Sequence, residues 1–100
     1  MMKYTVYNSD EISEQLSAIE NWSLTNAAIE KDFLLKNFSE ALGFIVQIGI
    51  EAEKLNHHPE IFNVYNKVKI RLNTHDAQGI TDFDFKLAKK IDSAFKKYIL

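Results

Sequence analysis

The sequence predicts an α+β fold, a four-stranded antiparallel sheet with three helices on one face in the order α-β-β-α-β-β-α. Two observations support this prediction. Three segments carry apolar residues at helical spacing, and the two segments between them each resemble a pair of short strands joined by a tight turn. Strands joined by short turns are antiparallel, and helices bury one face of such a sheet. A chain of 100 residues is expected to form one domain, residues 1–100.

The first helix is predicted to have Ser9 as its N-cap, with acidic residues Asp10 and Glu11 in its first turn. Its apolar residues follow at helical spacing, at Ile12, Leu16 and Ile19. The first hairpin is predicted next, with strands at residues 22–25 and 28–35 and a turn near Asn26. Apolar and polar residues alternate imperfectly in these strands.

The second helix is predicted to begin at the cap residue Ser39 and to run to about Asn56. One of its faces is apolar and is formed by Ala41, Phe44, Ile45, Ile48, Ala52 and Leu55. A second apolar stripe lies roughly opposite and is formed by Leu42, Val46 and Ile50. A helix that is apolar on two sides needs two burying surfaces, and in so small a domain the second is most simply another subunit. We therefore expect a homodimer or homotetramer.

The second hairpin is predicted over residues 62–73, with a turn around Asn66 and Lys67. Its second strand alternates, with Val68, Ile70 and Leu72 on one side and Lys69, Arg71 and Asn73 on the other. The third helix has the strongest start signal, because Thr81 and Asp84 form an approximate capping box and Ile80 can pack on Phe85. Its buried face is predicted to comprise Leu87, Ala88, Ile91, Ala94, Phe95 and Tyr98.

The composition of the chain excludes several classes of function. A net charge of −2 gives the chain no overall attraction to nucleic acid or an anionic membrane. The absence of cysteine excludes a thiolate nucleophile and sulfur-ligated zinc. No apolar run has the length of a signal peptide or a membrane span, so we expect an unprocessed cytoplasmic protein. Five lysines of the third helix are interpreted as its solvated face: Lys86, Lys89, Lys90, Lys96 and Lys97.

The three histidines are the candidates for chemistry. His57 and His58 follow the second helix, and Pro59 biases His58 toward an extended backbone, so the two side chains should diverge. His75 lies in the loop before the third helix, where it can face them across a pocket. General acid–base catalysis suits this set best, because imidazole exchanges a proton near neutral pH. Shared metal binding would need special geometry, since the first two histidines are adjacent.

A structural explanation stays open at each of these positions. A histidine in a loop is commonly a surface or capping residue. Asp84 is fully explained as part of a capping box. Glu53 lies toward the second apolar stripe of its helix, where a salt bridge at an interface would explain it.

A set of widely spaced residues resembles the signature of the pterin-4a-carbinolamine dehydratases. The string "HHPEIFNVYNKVKIRLNTHDAQGIT" is similar to the central region of that family, and so are "AEKLNHHPE" and the pair "NW". The resemblance extends from about Trp22 to Phe95. Ile61 is a departure, because many members have tryptophan after the Pro-Glu pair. The spaced residues that carry the resemblance are Glu53, His57, His58, Pro59, Tyr65, His75 and Asp84.

The resemblance implies the predicted fold, assembly into dimers or tetramers, and dehydration of 4a-hydroxytetrahydrobiopterin to quinonoid dihydrobiopterin. That reaction recycles the cofactor of aromatic amino acid hydroxylases and needs neither a metal nor an organic cofactor. It implies His57 and His75 as catalytic residues, with His58 binding substrate or moving the second proton. Glu53 would then orient His57, and Asp84 would orient His75. The implied substrate contacts are His57, His58, Pro59, Thr74, His75, Asp76 and Ala77.

An interaction role is the alternative. Some members of the family are dimerisation partners of transcription factors, and the stripe of Leu42, Val46 and Ile50 could serve that role or homo-oligomerisation. Direct binding of nucleic acid is not expected, because only the lysines of the third helix favour it.

Overall fold

The structure is a computed structural model that describes residues 3–98, and it has the predicted order of elements. The three α-helices are α1 (Ser9–Leu16), α2 (Phe38–Leu55) and α3 (Asp82–Phe95). The four strands are β1 (Ser23–Thr25), β2 (Ala28–Leu34), β3 (Glu60–Val64) and β4 (Lys67–Leu72). Two short 3₁₀ helices, His75–Ala77 and Lys96–Tyr98, precede and follow α3.

The sheet is antiparallel throughout and has the order β1-β2-β4-β3. Each hairpin supplies one central and one edge strand, and the two hairpins join through β2 and β4. Their register pairs Ile29 with Leu72 and Phe33 with Val68, so buried side chains meet across the seam. This long-range pairing fixes the loops that follow β4 relative to α2.

The core lies between one face of the sheet and the helices. On β4, Val68, Ile70 and Leu72 are buried while the alternate residues are not, as the alternation predicts. These side chains belong to one apolar cluster with Phe44 of α2 and Leu87 of α3. The opposite face of the sheet carries Arg71 of β4, which forms ion pairs with Glu30 and Glu60. Helices therefore cover one face only.

The N-caps of the first two helices differ from the prediction. Asn8 caps α1 instead of Ser9, and its side chain forms a capping box with Glu11. Asn37 caps α2 instead of Ser39, and it accepts a hydrogen bond from the backbone N–H of Glu40. In both cases an asparagine stands three residues before a glutamate. The third cap is confirmed, because Thr81 and Asp84 form a complete capping box.

The hairpin turns fall within one or two residues of their predicted places. Asn26 and Ala27 both have positive φ, at 50° and 63°, which is typical of a two-residue turn matched to the twist of its strands. In the second hairpin the turn is at Tyr65 and Asn66, one residue before the predicted position. The side chain of Asn63 donates to the carbonyls of Tyr65 and Lys67 and so bridges that turn.

The two apolar faces of α2 have different surroundings. Ala41, Phe44 and Ile48 are buried against the sheet and α3. The second stripe lies on the surface, with exposed fractions of 45% for Leu42, 63% for Val46 and 46% for Ile50. These three residues are called the α2 stripe below.

Candidate active site

The end of α2 sets the position of His57. The helix ends at Leu55, and its C-cap Asn56 adopts the left-handed conformation with φ 49°. The backbone N–H of His57 then donates to the carbonyl of Ala52 at 3.0 Å, which is typical of a helix end closed by a left-handed residue. Asparagine tolerates this conformation better than most residues do. The turn directs the chain away from the helix axis immediately before the histidine pair.

His57 is buried and pairs with a buried carboxylate. Its Nε2 lies 2.5 Å from Oδ1 of Asp84, whose side chain has an exposed fraction of 0%. The other carboxylate oxygen, Oδ2, accepts from the backbone N–H of Thr81 and the hydroxyl of Thr74, both at 2.9 Å. Three donors therefore satisfy the carboxylate, as burial of a charged group requires.

This arrangement corrects both predicted histidine–carboxylate pairs. Asp84 contacts His57 and not His75, the partner that the resemblance implied. Glu53 contacts His58 at 3.0 Å and not His57. Glu53 precedes His57 by four residues, but His57 lies beyond the left-handed Asn56 and so no longer follows the helical repeat.

The two adjacent histidines take different environments, as Pro59 led us to expect. His57 points to the buried carboxylate, whereas His58 and Glu53 form a pair with exposed side-chain fractions of 57% and 79%. Such an exposed pair contributes little to stability. The adjacent positions thus provide one buried and one solvent-facing imidazole.

His75 lies at the start of a closed loop between β4 and α3. Thr74 and Gly79 exchange backbone hydrogen bonds of 2.8 and 3.3 Å, and Gln78 closes the 3₁₀ turn by donating to the carbonyl of His75. The side chain of His75 is exposed. Thr74 joins this loop to the Asp84 carboxylate, so the loop and His57 share one hydrogen-bond network.

A cavity of about 170 Å³ brings the three histidines together. Five of the predicted site residues line it, namely His57, His58, Thr74, His75 and Asp76. Asp84 lies behind His57. Glu53 and Pro59 line a neighbouring apolar groove of about 690 Å³ instead, and Ala77 borders neither space. The larger groove includes Val46 and Ile50 of the α2 stripe.

Three lining residues were not predicted from the sequence, namely Tyr4, Asn56 and Asn73. Asn56 and Asn73 are neighbours in sequence of His57 and Thr74, so proximity along the chain could have suggested them. Tyr4 could not be found in that way, because it lies 53 positions before His57 in the sequence.

Within residues 3–98, no group of three or more His, Asp or Glu side chains is placed to hold a metal ion. In the same part of the chain, no helix combines the length and apolar character needed to cross a membrane.

Comparison with known proteins identifies the family. The model of the family described as pterin 4 alpha carbinolamine dehydratase matches residues 5–94. The chain belongs to the pterin 4 alpha carbinolamine dehydratase family. This membership confirms the resemblance drawn from the spacing of the histidines.

Individual members of the dehydratase family support the same assignment. A Sinorhizobium fredii protein is 54% identical over 89 residues, which cover 87% of this chain and 85% of that one. A Sulfurisphaera tokodaii protein is 50% identical over 82 residues, which cover 82% and 88% of the two chains. Both carry pterin-4-alpha-carbinolamine dehydratase as a provisional name.

A solved structure has the same fold. The Brucella melitensis protein described as a transcriptional coactivator/pterin dehydratase superimposes with a TM-score of 0.87 and 40% sequence identity, covering 90% of this chain and 98% of that one. The four-stranded antiparallel sheet with three helices is therefore also the fold of that Brucella melitensis protein.

Proposed function

We propose that the protein is a lyase that converts 4a-hydroxytetrahydrobiopterin to quinonoid dihydrobiopterin and water. Family membership supports a dehydratase. The observation that carries the catalytic assignment is that His57, backed by the buried Asp84, and the exposed His75 border the same cavity. The reaction needs two proton transfers at adjacent ring atoms, and two imidazoles can supply them.

The chemistry requires an acid and a base. A hydroxyl leaves carbon 4a of the pterin, and protonation turns this poor leaving group into water. A proton leaves the adjacent ring nitrogen, and its electron pair forms the new carbon–nitrogen double bond. No redox change occurs, so no electron carrier is required.

The buried carboxylate indicates which role His57 takes. An ionised Asp84 can only accept hydrogen bonds, so Nε2 of His57 carries the proton that joins them. In the neutral ring, Nδ1 is then the proton acceptor. We propose His57 as the base that takes the proton from the ring nitrogen, and His75 as the acid that protonates the departing hydroxyl.

The remaining predicted residues are proposed to bind substrate. His58 lines the cavity with Thr74 and Asp76, and Pro59 lies at its side in the apolar groove. Glu53 would orient His58, its observed partner. The loop residues that line the cavity, His75 and Asp76, would hydrogen-bond the amide edge of the pterin.

Measured dehydration of a synthetic carbinolamine tests the proposal. His57→Ala and His75→Ala should each lower kcat by roughly 10²- to 10⁴-fold, which is the usual contribution of a placed acid or base. Lys90→Ala, an exposed lysine of α3, is the control and should keep the wild-type rate. Unchanged rates in both histidine variants would contradict the catalytic assignment.

In the cell, this activity would recycle the tetrahydrobiopterin used by aromatic amino acid hydroxylases, and such a hydroxylase is the proposed functional partner. The cytoplasm is the proposed location, since the proposed partner uses a cofactor that must be recycled where the hydroxylase works.

The α2 stripe supports a second proposal, assembly into a homodimer or homotetramer. Leu42, Val46 and Ile50 are exposed, and surface apolar residues in one row along a helix favour a helix–helix interface. A role as a dimerisation partner of a transcription factor is the alternative use of the same surface. The Brucella melitensis protein, whose description includes transcriptional coactivator, supports keeping that alternative.

A further inference from the structure

The N-terminal segment is bonded to the start of α3. The backbone N–H of Tyr7 donates to the carbonyl of Ile80 at 2.9 Å, and that of Asp82 donates to the carbonyl of Thr5 at 3.1 Å. The N–H of Thr5 also donates to the side chain of Asp82 at 2.9 Å. Residues 4–7, called the strap below, are thus held by backbone bonds on the segment that precedes Asp84.

The strap places one aromatic ring beside the site. The ring of Tyr4 meets the ring of Phe83 edge to face, with centroids 5.3 Å apart and an interplanar angle of 83°. Phe83 in turn meets the ring of His57 at 6.0 Å and 72°. The three rings form a continuous row that ends at the proposed base. Tyr4 itself is partly exposed and borders the cavity.

The walls of the cavity are otherwise polar. Among the described residues that line it, Tyr4 is the only one with a carbocyclic ring, and the others are histidine, asparagine, threonine and aspartate. The polar groups suit the hydrogen-bonding edges of a pterin. The flat faces of its fused rings need an apolar or aromatic surface, and aromatic rings pair favourably in stacked or edge-to-face contact.

We propose that Tyr4 is a substrate-binding residue, whose ring contacts the pterin and sets how deeply it lies between His57 and His75. This inference rests on the proposed function. The cavity of about 170 Å³ is smaller than a typical ligand pocket, so the substrate is only partly enclosed and each wall matters for its orientation. The N-terminus thereby completes a site whose other walls lie in the second half of the chain.

A purely structural role for Tyr4 predicts a different result. The strap is held by backbone hydrogen bonds and by the side chain of Asp82, none of which involves the ring of Tyr4. Loss of the ring should therefore change substrate affinity while the strap stays in place. A role confined to packing would change stability and leave affinity unaltered.

Steady-state kinetics of Tyr4→Leu and Tyr4→Phe separate the two roles. Tyr4→Leu keeps apolar bulk without an aromatic face, and we expect its KM to rise roughly 3- to 10-fold with kcat within about twofold. Tyr4→Phe should keep a KM within about twofold of wild type. Val6→Ala is the matched control, since Val6 is an exposed residue of the same strap that does not line the cavity.

Equilibrium binding of oxidised biopterin gives a readout independent of turnover. Its Kd should rise in Tyr4→Leu by the same factor as KM, while urea unfolding stays close to wild type. Should Tyr4→Leu fold poorly, Tyr4→Met serves as a second variant with an unbranched chain. If the wild type is active and the Tyr4 variants have the same KM and Kd as the wild type, this inference is overturned and the proposed function stands. A folded wild type that neither dehydrates the carbinolamine nor binds biopterin would overturn both.

Discussion

Nε2 of His57 lies 2.5 Å from Oδ1 of Asp84, and this contact joins the end of α2 to the first turn of α3. The same carboxylate closes the capping box of α3 through the backbone N–H of Thr81. One side chain therefore starts a helix and orients an imidazole in the candidate site.

Replacing this carboxylate should impair both functions. In Asp84→Asn, one position of the carboxylate becomes an amide N–H₂, which faces either Nε2 of His57 or the donors Thr74 and Thr81. The first arrangement imposes the other tautomer on His57 and removes its acceptor at Nδ1. We expect kcat to fall by roughly 10²-fold or more and the free energy of unfolding to fall by about 1–3 kcal/mol.

Kinetics and urea unfolding measure these two effects of Asp84→Asn. Asp10→Asn, an exposed residue in the first turn of α1, is the control and should change stability by less than about 0.5 kcal/mol. Wild-type kcat in Asp84→Asn would show that the tautomer of His57 does not matter for the reaction.

The second carboxylate should matter in a different way. Glu53 contacts the exposed His58, and its own side chain is 79% exposed, so it holds that imidazole loosely. In Glu53→Gln we expect KM to rise by about two- to fivefold with kcat nearly unchanged, because His58 is proposed to bind and not to transfer the proton. A kcat loss as large as that of Asp84→Asn would assign Glu53 to the chemical step instead.

The raised pKa of Tyr7, a residue of the strap, predicts a loss of stability in alkaline solution. Burial raises the pKa of its hydroxyl above the usual 10.0, and the nearby carboxylates of Asp82 and Glu11 raise it further. The unfolded phenol then loses its proton at a lower pH than the folded one. Stability contributed by neutral Tyr7 is therefore present below the unfolded pKa and is lost as the pH rises toward the folded pKa.

Thermal unfolding tests this pH dependence. It is measured from about pH 8 to about pH 11, a range that includes the ordinary pKa of tyrosine. Tyr7→Phe should lose less stability than wild type across that range, because it has no group to ionise. Tyr65→Phe, at an exposed turn, is the control and should follow wild type. Parallel curves for wild type and Tyr7→Phe would contradict the prediction.

The α2 stripe predicts self-association. Val46 is 63% exposed at the centre of the stripe, and Val46→Glu would place a charge in any interface formed there. Sedimentation at micromolar concentration should show an oligomer for wild type and a smaller species for Val46→Glu. Leu24→Gln, another exposed apolar residue, lies on β1 and should behave as wild type. A monomeric wild type would count against the interface.

Much of the fold could be predicted from local patterns, and the differences at the helix starts have a physical reason. Asparagine and serine are about equally good N-caps, so the sequences Asn8-Ser9 and Asn37-Phe38-Ser39 each offer two choices. A glutamate three residues after each asparagine favours the asparagine as the cap. In both helices the backbone N–H of the glutamate donates to the asparagine side chain, and in α1 the glutamate side chain also accepts from the backbone N–H of Asn8. The rule that placed the third cap correctly would have placed these as well.

The residues of the site could be predicted from the sequence, but the contacts between them could not. The family spacing identified all three histidines that line the cavity. The contact of Glu53 with His58 is local and depends on the left-handed turn at Asn56. The contact of His57 with Asp84 depends on how α2 packs on α3, which joins residues far apart in sequence. Tyr4 was missed for the same reason, since the strap reaches the site only through its bonds to Thr81 and its neighbours.

The shared role of Asp84 also bears on how this site can change during evolution. A substitution that alters how Asp84 holds the imidazole must at the same time preserve the start of α3, because one oxygen of its carboxylate contacts His57 while the other accepts the capping hydrogen bond from Thr81. Glu53 contacts a histidine but does not cap a helix, and its side chain is exposed to solvent. Substitutions at the exposed rim around Glu53 should therefore accumulate more readily than substitutions of Asp84, which would disturb the proposed base and the start of α3 together.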